Sequence, residues 1–147
     1  MTVAEQLYQL QEIDLALDRE KAALVAVEAR MGETEALRAA RQALATAKEE
    51  QTRLQREQRG LEADIQDADA KVETLDKKLY SGSVKSPKEL MNMEGELERL
   101  KAKRSDTDGK LLAVMDAVEQ AQRTVTTRAA EMEAAEQAWR QEQQDLR

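Results

Sequence analysis

The 147-residue chain has no cysteine, no histidine and no phenylalanine, and a single proline. Each absence closes a class of chemistry. Without Cys there are no disulfides, thiol nucleophiles or thiolate ligands. Without His there is no imidazole base, and the soft ligands of zinc and most catalytic transition-metal sites are gone. Tyr8, Tyr80 and Trp139 are the only aromatics, so the bulky residues that fill sandwich, barrel and doubly wound cores are missing. Long apolar runs are also lacking: no window approaches the roughly 20 apolar residues that cross a bilayer. Met1–Leu10 has no basic start followed by an apolar stretch. The expectation is a cytoplasmic interaction or scaffold protein with no enzymatic activity, no membrane segment and no cofactor in this chain.

What is present is a long-helix inventory, rich in Ala, Leu, Glu, Gln and Arg, with 36% charged residues and a net charge of -7. The acidic balance argues against nonspecific coating of nucleic acid, which needs a surplus of Lys and Arg. Stepping alternately by three and four from Leu37 reaches Ala40, Leu44, Ala47, Gln51, Leu54, Gln58, Leu61, Ile65, Ala68, Val72, Leu75 and Leu79. Eleven of these thirteen positions are apolar, a period-3.5 seam that marks a coiled coil. The same step from Leu90 runs through Met93, Leu97, Leu100, Arg104, Thr107, Leu111, Val114, Val118, Ala121, Val125, Arg128, Met132, Ala135, Trp139 and Glu142 to Leu146. Gly95 and Gly109 fall on its outward face and do not read as breaks.

Between the seams lies a turn. Ser81, Gly82 and Ser83 follow Tyr80, with Gly82 suited to a left-handed cap and Lys77 and Lys78 placed at the negative end of a helix dipole. Ser86 then reads as an N-cap, Pro87 as the first helical residue and Glu89 as the far side of a capping box. Two heptad helices joined by so short a link run antiparallel. The expected fold is all-α, a long antiparallel coiled-coil helical hairpin forming one domain. Its arms are 33–80 and 87–147, its tip loop is 81–86, and 1–31 forms an N-terminal helix segment. Facing residues should have numbers adding to about 169, within a slip of one turn. That register sets Arg104 near Ile65 and Arg128 near Ala40, where the two arginines either snorkel outward or fix register and bind a partner.

The N-terminal segment carries its own seam, Leu10, Ile13, Leu17, Glu20, Leu24, Val27 and Met31. From Met31 to Leu37 is one residue short of a heptad, which rotates the seam by about 100°. Either a kink or a turn is expected at Gly32 and Thr34. Leu7, Leu15 and Val25 lie off the seam and widen the apolar face, suggesting a third helix or a second chain as its cover. A homodimer therefore stays open.

The string Leu79-Tyr80-Ser81-Gly82-Ser83-Val84-Lys85-Ser86-Pro87-Lys88-Glu89-Leu90 resembles the hairpin signature of a bacterial family with a C-terminal four-cysteine zinc ribbon. Leu10-Gln11-Glu12-Ile13-Asp14 is similar to the N-terminal motif of that family. The resemblance implies a chaperone-like or adaptor role. Members of flagellar-biogenesis type bind the sigma-54 subunit of RNA polymerase and, in one lineage, a flagellin transcript. This chain departs from the pattern in having no cysteine, so zinc is expected only if a ribbon exists in a longer parent protein. Arg147 falls within a heptad pattern with no closing motif, and an excised coiled-coil half or a product without its ribbon is expected.

Charge is most uneven at the tip, where Lys77, Lys78, Lys85 and Lys88 occur with no acid between them. Lys77 and Lys78 suit a helix C-terminus, whereas Lys88 opposes the dipole of the helix it begins. These lysines with Tyr80 are the candidate partner-binding residues; Gly82, Ser86, Pro87 and Glu89 are the candidate turn and cap. Coiled-coil hairpins that act near a polymerase magnesium ion need carboxylates at the turn, and Ser81 to Lys88 has none. The di-iron Glu-x-x-His pattern and Gly-rich phosphate loops are likewise missing. A protein-binding adaptor, a structural or oligomerisation module, and a nucleic-acid binder working through the basic tip are the remaining classes.

Overall fold

The computed structural model describes residues 2–145, excluding the side chains of Ala29, Arg30, Met31, Glu33 and Thr34. The seam positions Met31 and Leu146 and the Thr34 side chain lie outside the described residues. Two helices are described, α1 (Val3–Tyr80) and α2 (Pro87–Asp145), and no strand occurs among the described residues. At the start of α1, the Thr2 N–H donates to the Glu5 carboxylate and the Glu5 N–H to the Thr2 hydroxyl, each at 3.3 Å. This reciprocal capping box satisfies two N–H groups that a helix start otherwise leaves unpaired.

Helix α1 runs through Gly32 without interruption, so the turn expected there as one alternative is not formed. A one-residue phase fault rotates the apolar seam but breaks no backbone hydrogen bond, whereas a turn would leave several groups unpaired at two new helix ends.

The chain divides into two compact units, 45–127 and 1–44 with 128–147. In the first, the end of α1 and the start of α2 run antiparallel. Ala47, Val114 and Ala121 are its most buried apolar residues, and Leu54, Leu61, Ile65, Leu75, Leu79, Leu90, Leu97, Leu100, Leu111 and Val125 are half-buried along the seam. Two helices shield a stripe and no more, which is why no described side chain is fully enclosed.

The register of this unit is fixed by two contacts, Gln51 with Gln122 and Asp69 with Arg104. Both pairs add to 173, one helical turn from 169 and within the slip allowed for it. The loop supplies the cause. Residues 83–86 form no helical turn, and α2 begins only at Pro87. The six link residues thus shift α2 by about 9 Å, the rise of six helical residues.

In the second unit, Leu37 and Leu44 are buried. Ala40, Ala43, Ala129, Met132, Ala135, Glu136, Trp139 and Gln143 are half-buried. Beyond Val125 the sheltered stripe passes through Ala129 and Gln143, while Arg128 and Glu142 are exposed. Those two expected seam positions are corrected: small Ala129 packs more readily than a guanidinium, and Arg128 instead holds Glu131 at 2.9 Å on its own helix. The expected N-terminal seam is uncovered, with Leu10, Ile13, Leu17, Leu24 and Val27 all exposed.

Candidate functional site

The tip is built by the end of α1. The Ser81 N–H closes the last turn on the Lys77 carbonyl at 3.0 Å, and the Ser81 hydroxyl donates to the Lys78 carbonyl at 3.0 Å. Gly82 follows at φ 72°, the left-handed conformation in which a Cβ would crowd the next carbonyl. Ser81 also organises what comes next: its hydroxyl lies 2.9 Å from the Ser83 hydroxyl and accepts the Ser83 N–H at 3.4 Å.

The start of α2 differs in part from the sequence expectation. Ser86 holds the N-cap position, its carbonyl accepting the Leu90 N–H at 3.0 Å, and Pro87 and Glu89 occupy the first and third helical positions. The reciprocal side-chain bonds expected between Ser86 and Glu89 are not formed among the described residues. Both side chains are exposed, and water competes for their groups at this open helix end. The box that does close is the one at Thr2 and Glu5, readable as Thr-x-x-Glu but missed by a reading centred on the turn.

All five candidate binding residues lie in the 45–127 unit near the tip, and all are exposed. Tyr80 is 88% exposed, so its ring contributes little to packing. Lys77 is engaged by Glu73 at 3.1 Å in an i,i+4 pair on the surface. Lys78, Lys85 and Lys88 make no ion pair among the described residues. Val84 and Leu79 are half-buried and anchor the loop to the helix ends. Met91, 72% exposed, is an apolar neighbour that sequence reasoning passed over; its place directly after the seam residue Leu90 was the available signal.

Away from the tip, polar side chains serve the hairpin itself. The Arg104 guanidinium is held above its ordinary value by its hydrogen bond to Asp69 and by that carboxylate's charge. The hydrogen bond from Arg53, aided by its charge, holds the Glu50 carboxyl below the usual glutamate value against an opposing loss of solvation. A groove of about 340 Å³ beside Leu54, Ala117 and Ala121 is open and shallow. Among the described residues there is no group of three metal-capable side chains, and no helix is long and apolar enough to cross a membrane.

These features define an all-α antiparallel coiled-coil hairpin with a basic tip. The chain belongs to the CT398-like coiled coil hairpin domain family, whose model matches residues 10–147. No curated protein and no solved structure matches it.

Proposed function

We propose that this chain is a non-enzymatic, cytoplasmic coiled-coil adaptor that captures a macromolecular partner with its hairpin tip. The supporting observation is that Lys78, Lys85 and Lys88, near the exposed Tyr80 in the sequence, are exposed and make no ion pair among the described residues, on a chain of net charge -7. An unpaired cation in the first turn of α2 opposes the helix dipole and serves no local stability. Lys88 is such a cation, and together with Lys78, Lys85 and the exposed Tyr80 ring it suits an acidic protein surface, with the ring supplying apolar contact.

The resemblance of the tip string to ribbon-bearing hairpin proteins makes a sigma factor or another transcription or flagellar component the partner of choice. In that setting zinc belongs to a ribbon of a longer parent chain and not to these residues. The test is capture of purified sigma-54 subunit by the immobilised chain, with a single-stranded RNA probe run in parallel. Lys85→Glu with Lys88→Glu should reduce protein capture at least about tenfold, since reversing two charges converts attraction into repulsion. Unchanged capture would remove the tip from the interface. A salt-sensitive RNA shift abolished by the same pair would favour the nucleic-acid reading, and binding of neither probe would leave the structural-module reading ahead.

A further inference from the structure

We propose that the N-terminal stretch of α1, residues 3–28, is a self-association surface that pairs antiparallel with the same stretch of a second copy of this chain. Except for half-buried Ala26, every described side chain from Val3 to Glu28 is exposed. Leu10, Ile13, Leu17, Leu24 and Val27 are 48–59% exposed, although they form a period-3.5 stripe interrupted only by Glu20. Isolated helical stretches are marginal in water, and most helix stability comes from packing an apolar face. This stripe therefore calls for a partner helix, and its spacing selects one with a matching heptad seam.

Its own sequence supplies that match. With Leu10, Leu17 and Leu24 at position a and Ile13, Glu20 and Val27 at position d, the edge residues at e are Leu7, Asp14, Lys21 and Glu28. The edge residues at g include Gln9, Ala16 and Ala23. In an antiparallel pair whose facing seam numbers add to about 37, Leu10 meets Val27, Ile13 meets Leu24 and Leu17 meets Glu20 of the second copy. The edges then set Asp14 against Lys21 twice, once on each side of the two-fold axis, and the small Ala16 against Ala23.

A parallel pair is disfavoured by the same residues. It would place Glu20 against Glu20 within the seam, and its g-to-e contacts, Gln9 with Asp14, Ala16 with Lys21 and Ala23 with Glu28, contain no opposite charges. Like carboxylates facing one another in a seam repel, whereas opposite edge charges set partner and orientation.

The experiment is light scattering on the full chain across a concentration series, with three sets of variants. The unaltered chain should reach twice its 16.6 kDa mass, and Leu17→Lys should return it to monomer with helicity reduced by no more than the 3–28 stretch, because Leu17 lies outside the buried hairpin seam. Asp14→Lys should weaken the dimer and Asp14→Lys with Lys21→Asp should restore it. Since the chain has no native thiol, an equimolar mixture of Ala16→Cys and Ala23→Cys chains should oxidise to the mixed dimer in preference to either like pair. A monomer at every concentration, a dimer untouched by Leu17→Lys, or preferential like-pair cross-linking would overturn the proposal.

Discussion

Arg104 on α2 reaches across the seam to Asp69 on α1, donating from both Nε and Nη2, the latter at 3.4 Å. The guanidinium occupies a seam position and its charged end emerges at the edge beside Asp69; Glu62 and Asp76 recur one heptad to either side on α1, so a carboxylate would be met in those alignments as well. An apolar residue there would pack equally well one heptad away. The exposed pair marks the observed register and adds little to its strength.

That register is open to a direct test. Gln51→Cys with Gln122→Cys should oxidise within the monomer faster than Gln51→Cys with Val118→Cys, the pairing that adds to 169. The comparison is clean because no other thiol exists in the chain. Faster closure of the Val118 pair would place the arms one turn from the described alignment.

Core truncation should separate the sheltered stripe from the surface. Leu37 is 6% exposed and Leu112 is 61% exposed. Leu37→Ala should cost about 2–4 kcal/mol in a denaturant titration, from lost burial and a residual void. Leu112→Ala should stay within about 0.5 kcal/mol.

The glycines divide by backbone conformation. Gly82→Ala should destabilise the hairpin by about 1–2 kcal/mol, because φ 72° is costly for any residue with a Cβ. Gly60→Ala, Gly95→Ala and Gly109→Ala should each stabilise it by about 0.5–1 kcal/mol, since these are helical positions where a new Cβ meets nothing within 4 Å. Thermal melts of the four variants should split into one downward and three upward shifts.

Glu50 should report its pairing with Arg53 by NMR titration. Its carboxyl is held low by the Arg53 hydrogen bond, so the folded value lies below the unfolded one. The associated stability is complete at neutral pH and is lost as pH falls through the lowered folded value. Both groups are exposed, so the effect on stability should be small. Arg53→Ala should bring the Glu50 titration back to the ordinary glutamate value.

The seam was legible in the sequence where apolar residues recur without competition. From Leu37 to Leu79, every position on the three-four step is buried or half-buried, including the polar Gln51 and Gln58. The alignment of the arms was less legible, because a heptad pattern repeats along the helix and the path of the link 81–86 is a tertiary outcome. Near Arg128 the sequence offered two stripes of similar character, and the smaller Ala129 took the sheltered place. At the tip, the positions of Gly82, Ser86 and Pro87 followed from turn and cap chemistry. The central part played by the Ser81 hydroxyl did not, since a serine in a turn has several backbone partners within reach.

The displaced register has a geometric consequence for recognition. Pairs adding to 173 set Met93 level with Tyr80, so the first turn and a half of α2 projects past the end of α1, accompanied only by the non-helical link. The leading edge of the hairpin is therefore narrower than its shaft. Under the proposed capture by the tip, a receptor for Lys85 and Lys88 would need a cleft wide enough for about a single helix, roughly 10–12 Å across, and the blunt end of α1 behind it would limit how deeply the tip could enter.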